Sequence, residues 1–259
     1  MENLYKKVAI EAAITSGRFI KRSVGRTIRI SYKGKDNIVT DIDKKAESII
    51  INKILSAFPD HAVLSEESRP IRSLSPYKWI VDPLDGTTNF AHSFPFFCVS
   101  IALEMSGNVV LGVVYDPVRD ELFYAEHGKG ACLNNKRILV SKTQKLREGF
   151  LATGFAYGRE KKDRNVANFR RFLMKALAIR RAGSAALDLC YVACGRFDGY
   201  WEYGLHPWDS AAGMIIVREA KGLVTRFGGE DYYPYDNDIL ASNAVIHRSM
   251  QAILINHRE

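Results

Sequence analysis

The stretch WIVDPLDGTTNF, residues 79–90, is an apolar run that ends in two aspartates. Its first residues, WIV, are typical of a buried strand. Asp82 and Asp85 flank a Pro-Leu pair, which bends the chain and can turn both carboxylates toward one point. Gly86 permits a tight turn and lets a ligand approach the backbone. The stretch therefore predicts a core strand whose end forms a binding site.

Two carboxylates that converge away from water repel each other strongly unless a proton or a cation lies between them. Oxygen ligands of this kind favour Mg²⁺ or Mn²⁺ over zinc. Thr87 and Thr88 follow at the start of a helix or turn, where free backbone N–H groups can hold a phosphate. A structural Asp-Gly turn, whose aspartates only cap the backbone, is the alternative interpretation.

Three further segments place acids where a predicted strand ends or a predicted helix starts. LSEES supplies Glu66 and Glu67 at a strand end, and HPWDSAAG supplies Asp209 at a helix start. VTDID supplies Asp41 and Asp43 at the start of another helix. Solvated loop charges or helix caps explain each of these acids taken alone. Only their combination with the opening stretch points to a metal cluster.

The 259-residue chain is 47% hydrophobic, which suits one large globular domain or two smaller ones that share an interface. Amphipathic helices are predicted over residues 3–23 and from Thr40 or Asp41 onward. Apolar runs then predict a β-rich region that includes a hairpin turning at Asp116-Pro117.

From about residue 149 strands and helices alternate, which favours α/β architecture with partly parallel strands. The basic, polar segment SKTQKLREG, residues 141–149, is the best boundary. The sequence thus predicts an N-terminal α+β half, residues 1–145, that carries the metal site. A C-terminal α/β half, residues 146–259, is predicted to carry substrate contacts and the last metal ligand.

The net charge of +8 is compatible with an anionic small substrate or with nucleic acid. The basic residues are dispersed and no nucleic-acid-binding motif accompanies them, so nucleic-acid binding is disfavoured. Apolar stretches stop short of the roughly 20 residues that a membrane span needs. No signal-peptide pattern is present, and four scattered cysteines indicate buried thiols. We therefore expect a cytoplasmic protein.

The motifs SEES, WIVDPLDGTTNF and PWDSAAG resemble those of the inositol monophosphatase family in type, order and spacing. These enzymes are Mg²⁺-dependent, lithium-sensitive phosphatases, and the resemblance covers almost the whole chain. It implies a mixed α+β and α/β fold, a layered α-β-α-β-α sandwich with the metal site between the two halves. It also implies a homodimer and two or three Mg²⁺ ions, for which Mn²⁺ can substitute.

The resemblance also assigns roles to individual residues. The implied metal ligands are Glu66, Asp82, Asp85 and Asp209, with the backbone carbonyl of Leu84. Thr87, supported by Asp43, is implied to help Glu66 orient and deprotonate the water that attacks phosphorus in line. The implied substrate-binding residues are Gly86, Thr87, Gly183, Ser184, Ala185 and Glu202. Lys33 and Lys35 belong to a loop that, by resemblance, lies over the metals.

Inositol 1-phosphate is the substrate that the resemblance favours, with inositol and phosphate as products. Fructose 1,6-bisphosphate or another small sugar or alcohol phosphate is the alternative. A regulatory protein associated with RNA or a polymerase is the alternative of another class, and the intact set of acids favours activity over it. Haloacid dehalogenase-like phosphatases carry D-x-D-G-T, whereas this chain carries D-x-x-D-G-T, so that mechanism is rejected.

Overall fold

The computed structural model describes residues 2–26, 30–33, 37–156 and 159–255 of the chain. Within these residues there are seven α-helices and fourteen strands, and the strands form three sheets. Lys35 lies outside the described residues. In the same part of the chain, no helix combines the length and the apolar composition that crossing a bilayer requires.

The first half is mainly antiparallel. Its elements, in chain order, are α1 (Glu2–Ser23), β1 (Ile30–Lys33), β2 (Asn37–Thr40), α2 (Asp41–Ala57), β3 (Ala62–Ser65), β4 (Tyr77–Asp85), α3 (Thr87–Ala91), β5 (Cys98–Met105), β6 (Asn108–Asp116), β7 (Glu121–Glu126), β8 (Gly130–Leu133) and β9 (Lys136–Arg137). Strands β1 and β2 form a two-stranded sheet, and β3 to β9 form a seven-stranded sheet in sequence order. Only the β3–β4 pair of that larger sheet is parallel.

The second half alternates helices and strands, as the sequence predicts. After a short 3₁₀ helix (Leu146–Glu148) its elements are β10 (Phe150–Thr153), α4 (Arg159–Leu173), β11 (Ala178–Arg180), α5 (Ala185–Ala193), β12 (Gly199–Tyr203), α6 (Pro207–Glu219), β13 (Leu223–Thr225), β14 (Asp238–Ser242) and α7 (His247–Ile255). The sheet order is β11-β10-β12-β14-β13. The first three of these strands are parallel, and the β12–β14 and β13–β14 pairs are antiparallel.

The two larger sheets and six of the helices stack in five layers. Helices α1 and α2 cover one face of the seven-stranded sheet, and α5 and α6 lie between the two sheets. Helices α4 and α7 cover the outer face of the five-stranded sheet. This order confirms the predicted α-β-α-β-α sandwich. The division into two domains stays a prediction, although each large sheet is built from one half alone.

Strand β5 contributes side chains to the hydrophobic cores on both faces of the seven-stranded sheet. Val99, Ile101 and Leu103 belong to the core beneath α1 and α2. Cys98 and Ala102 belong to the core that contains α5 and α6. Successive side chains of a strand point to opposite faces, so a nearly continuous apolar run is what a sheet covered on both sides requires.

The start of α2 confirms Thr40 as its N-cap. The Thr40 hydroxyl accepts the Ile42 N–H at 3.2 Å and the Asp43 N–H at 3.4 Å, and Asp43 in turn accepts the Thr40 N–H at 2.9 Å. This reciprocal pair satisfies backbone groups that a helix end leaves open. It also fixes the Asp43 carboxylate at one place beside the end of β4, where it contacts Thr87.

His247 joins α7 to the five-stranded sheet through both ring nitrogens. Nε2 lies 2.9 Å from the Thr225 hydroxyl, and Nδ1 lies 2.8 Å from the Ser242 hydroxyl. The ring is buried, and burial lowers the pKa of His247 to about 4. The neutral imidazole is therefore the form that the folded protein holds.

We expect this histidine to make stability depend on pH. Its folded pKa lies below its unfolded value, so its contribution is complete above about pH 6.5 and is lost as the pH falls toward 4. Relative to His247→Gln, the free energy of unfolding of the unmodified protein should fall by roughly 3 kcal/mol over that window. Urea unfolding of both proteins across the window measures the difference. Parallel pH profiles would contradict the prediction.

Candidate active site

The end of β4 is irregular, and this irregularity places the two aspartates of the opening stretch. Asp82 pairs with Ser100 and Asp85 with Cys98, so the register against β5 shifts between them. In a regular strand, residues three positions apart point to opposite faces. The shift acts as a β-bulge, and Pro83 suits it because proline has no N–H to donate to the ladder. Both aspartates consequently line one cavity.

Strand β3 runs parallel to β4 and brings Glu66 to the same edge. The Glu66 N–H donates to the Val81 carbonyl at 3.3 Å, which continues the pairing beyond the end of β3. Glu67 turns toward α2 instead, where its N–H donates to the Glu47 carboxylate at 2.9 Å. The structure therefore places Glu66, and not Glu67, in the cavity wall.

The cavity has a volume of about 430 Å³ and lies between the two halves of the chain. It collects all the predicted site residues except Asp43, which lies behind Thr87. The predicted residues that line it are Glu66, Asp82, Leu84, Asp85, Gly86, Thr87, Gly183, Ser184, Ala185, Glu202 and Asp209. Residues from distant parts of the sequence thus share one small space, and the roles assigned to them stay predictions.

Asp209 reaches the cavity from the first turn of α6. The helix begins at Pro207, two residues earlier than the predicted start, because the fixed φ of proline suits the first helical position. Asp209 is therefore the third residue of the helix and not its N-cap. Its Oδ2 accepts the His206 N–H at 2.7 Å, which orients the carboxylate.

Asp85 connects the two halves through a single carboxylate oxygen. Its Oδ2 accepts the Ser184 hydroxyl at 2.7 Å and the Ala186 N–H at 2.8 Å. Ser184 is also the N-cap of α5. The start of that helix supplies free N–H groups and a favourable dipole for a negative charge. The hydroxyl of Ser184 is therefore engaged with Asp85, while the turn around it lines the cavity.

Thr87 and Gly86 form the bend between β4 and the short helix α3. The Thr87 hydroxyl lies 2.8 Å from Asp43 Oδ1 and 3.0 Å from the Leu84 carbonyl oxygen. Gly86 has a φ of 97°, and a Cβ there would come within 3.0 Å of the Phe96 carbonyl. Both facts require glycine at this position. The predicted support of Thr87 by Asp43 is present as a direct contact.

Asn89 holds the second half against this bend, a role that the sequence does not reveal. Its side-chain amide donates to the Phe96 carbonyl at 2.7 Å and to the Ala182 carbonyl at 2.8 Å. Ala182 directly precedes the turn at Gly183, whose φ is 94°. This asparagine therefore couples the position of the predicted phosphate site to that of the predicted alcohol site.

The electrostatics of the cavity are dominated by acids. Burial raises the pKa of Asp82 well above its usual range, and the charges of Glu66, Asp85 and Asp209 raise it further. Burial likewise raises the pKa of Asp209 well above its usual range, with Asp85 as the strongest neighbouring charge. The pKa of Asp85 rises to about 6, because burial outweighs the hydrogen bonds from Ser184 and Ala186.

Within the described residues, no group of three or more His, Cys, Asp or Glu side chains is arranged to hold a metal ion as it stands. Three aspartates instead accept hydrogen bonds from the protein, including the one from the Leu84 N–H to Asp82 at 2.9 Å. The donor set nevertheless fits Mg²⁺ chemically. It consists of hard oxygen ligands whose mutual repulsion a divalent cation would remove.

Three ionisable residues of the cavity wall were not identified as site residues from the sequence. Arg181 and Asp188 line the cavity beside the predicted substrate contacts, and His206 lines it while stacking on Trp208 at 4.9 Å between ring centroids. Arg181 lies two residues before Gly183, an implied substrate contact, so the sequence did contain a signal for its position near the site. Asp188 lies in the apolar pattern of α5, where a single acid gives no such signal.

Comparison with known proteins is consistent with this geometry. The model of the inositol monophosphatase family matches residues 2–259. The chain is 46% identical over 254 residues to an inositol-1-monophosphatase of Synechocystis, covering 96% of this chain and 88% of that protein. It is 43% identical to the Nus factor SuhB of Vibrio cholerae, over 97% and 95% of the two chains. The crystal structure of the extragenic suppressor protein SuhB from Bartonella henselae superimposes with a TM-score of 0.94 at 42% identity, covering 98% and 99%.

We expect Asp82→Asn to raise the melting temperature of the metal-free protein by about 2–4 °C, because it removes a buried acid whose ionisation the neighbouring acids oppose and keeps the acceptor for the Leu84 N–H. Mg²⁺ should raise the melting temperature of the unmodified protein by mass action and that of the variant much less. Thermal unfolding with and without Mg²⁺ measures both effects. An equal response of the two proteins to Mg²⁺ would contradict the prediction.

Proposed function

Because the chain belongs to the inositol monophosphatase family, we propose that it is a Mg²⁺-dependent phosphomonoesterase that hydrolyses inositol 1-phosphate. One cavity that joins acids from both halves to the Gly86-Thr87 bend supports this activity. A phosphate group and the cations that neutralise it need adjacent anion and cation sites, and this cavity provides the residues for both.

Glu66, Asp82, Asp85 and Asp209, with the Leu84 carbonyl, are the residues that would hold the ions. When bound, Mg²⁺ supplies positive charge that neutralises the phosphate, lowers the pKa of the attacking water and stabilises the leaving alkoxide. The site draws its acids from β4, from α6 and from the residue after β3, so both halves must be folded together before it is complete.

Glu66 and Thr87 position the attacking water in this proposal. The Thr87 hydroxyl has one proton, which it donates to Asp43 or to the Leu84 carbonyl. Its lone pairs then accept a hydrogen bond from the water. Glu66 accepts the proton that the water loses as its oxygen attacks phosphorus. The bond from phosphorus to the alcohol oxygen breaks on the opposite side, and the leaving alkoxide takes a proton from a solvent water. Glu66 then gives its proton to the hydroxide that is left, so one water is consumed overall.

The backbone N–H groups of Gly86 and Thr87 hold the phosphate, where the turn into α3 leaves them without helical partners. Gly183, Ser184, Ala185 and Glu202 receive the alcohol end. The net charge of +8 attracts a phosphorylated substrate at long range. Fructose 1,6-bisphosphate and other small sugar phosphates are the alternative substrates. The proposed assembly of the protein is a homodimer.

The names of several relatives favour a second candidate function. The Vibrio cholerae relative is named a Nus factor, and the same name is given to relatives from Pseudomonas aeruginosa and Escherichia coli. A regulatory role that involves RNA or a polymerase is therefore the second proposal. Affinity for RNA that falls steeply with rising salt would support it, since contacts to phosphates release counterions.

We expect phosphate release from inositol 1-phosphate to require Mg²⁺ and to stop in EDTA. Asp85→Asn and Asp209→Asn should each lower kcat by at least about a hundredfold, because each removes a proposed metal ligand. Steady-state kinetics with inositol 1-phosphate, fructose 1,6-bisphosphate and glycerol phosphate rank the substrates.

Asp60→Asn is the matched control, since Asp60 is exposed and precedes β3 at the end of the strand opposite to Glu66. This variant should match the unmodified protein. Full activity in EDTA, or unchanged turnover in both site variants, would overturn the proposed phosphatase function.

A further inference from the structure

Asp188 is a buried acid in the cavity wall to which the proposed reaction assigns no role. It lies in the first turn of α5, where its backbone N–H donates to the Ser184 carbonyl at 3.0 Å in the regular helical pattern. Its side chain is only 1% exposed. Carboxylate oxygen Oδ1 is buried and has no hydrogen-bond partner among the described residues of the chain.

Other buried aspartates show what a structural role looks like in this molecule. Asp116 accepts the N–H groups of Val118 and Arg119 at 2.8 and 3.1 Å, and Asp198 accepts the Phe150 N–H at 2.7 Å. Each of them satisfies backbone groups of a turn or strand. A buried acceptor without a donor costs free energy and is rare in native proteins. Asp188 is therefore better explained by a ligand than by the fold.

The neighbours of Asp188 indicate the chemistry of that ligand. Glu202, on β12, lines the same cavity, and its Oε2 accepts the Tyr200 hydroxyl. Helix α5 packs against β12, so the two acids reach the cavity from adjacent elements. Burial raises the pKa of Asp188 well above its usual range, and the charges of Glu202 and Asp85 add to this, whereas Arg181 opposes it.

Two carboxyl groups in such surroundings suit a ligand rich in hydroxyl groups. Each hydroxyl offers one donor and two acceptor lone pairs, so it can pair with a carboxylate or with a protonated carboxyl group. The metal-binding acids and the Gly86-Thr87 bend account for the phosphate end of the cavity. Asp188 and Glu202 remain for the other end, where the alcohol of the substrate lies.

We propose that Asp188 is a substrate-binding residue that, together with Glu202, hydrogen-bonds hydroxyl groups at the polyol end of the substrate. The inference rests on the proposed phosphatase function and names the substrate class of the same site. Phosphate esters without hydroxyl groups leave the buried acid unpaired. A site that is built to pair with hydroxyl groups rejects such analogues more strongly than an apolar pocket does.

Asp188→Leu tests the proposal, because leucine has nearly the shape of aspartate and offers no hydrogen bond. The kcat/KM values for inositol 1-phosphate and for p-nitrophenyl phosphate, which lacks hydroxyl groups, are compared in Mg²⁺. We expect the variant to lose about tenfold or more in kcat/KM for inositol 1-phosphate relative to its loss for p-nitrophenyl phosphate. Asp188→Asn, which keeps one acceptor oxygen, should recover part of the difference.

Thermal unfolding separates a binding role from a structural role. Loss of a buried acid that has an unsatisfied carboxylate oxygen should raise the melting temperature of Asp188→Leu above that of the unmodified protein. Added myo-inositol should stabilise the unmodified protein and should stabilise the variant less. A lower melting temperature together with equal losses for both phosphate esters would overturn the proposal and assign Asp188 to the fold.

The proposed function and this inference fail in different ways. If the unmodified protein releases phosphate from neither ester, the phosphatase proposal fails. If it hydrolyses both esters and Asp188→Leu retains the same preference between them, the phosphatase proposal stands and the role of Asp188 is wrong.

Discussion

Mutual repulsion among the carboxylates of one cavity is the constraint on which the rest of the site depends. Asp82, Asp85 and Asp209 share this cavity with Glu66, and the charges of their neighbours raise the pKa values of Asp82 and Asp209. A fold does not keep such a group for stability, because apolar residues of similar size would be less costly. The family to which the chain belongs is Mg²⁺-dependent, and divalent cations are the counter-charge that this arrangement calls for.

The same acids also explain why the site lies between the two halves. Asp85 accepts hydrogen bonds from the start of α5, and Asn89 donates to the Ala182 carbonyl just before that helix. A substrate placed across this junction would meet the proposed phosphate-binding groups of the first half and the proposed hydroxyl-binding groups of the second. The reaction would thus depend mainly on the first half of the chain and the selectivity on the second. The hydrogen bonds of Asp85 and Asn89 hold these two halves together.

Local sequence predicts much of this arrangement, since strand ends, helix caps and the D-x-x-D-G-T bend depend on neighbouring residues. The cap at Thr40 and the acids at the ends of β3 and β4 are of this kind. The order of the layers was predicted from the family resemblance, because hydrophobic periodicity does not predict the order of strands in a sheet. The shift between Asp82 and Asp85 depends on pairing with β5, and the charges around Asp188 depend on Glu202 of β12. Long-range packing of this kind leaves no mark in a single sequence.

The most direct test of the account is the position of a bound divalent cation. Crystals grown with Mn²⁺ give anomalous scattering that locates the ion independently of any assumption about its ligands. The account predicts peaks within coordination distance of the carboxylates of Glu66, Asp82, Asp85 and Asp209. Strong peaks elsewhere and none among these four side chains would contradict it.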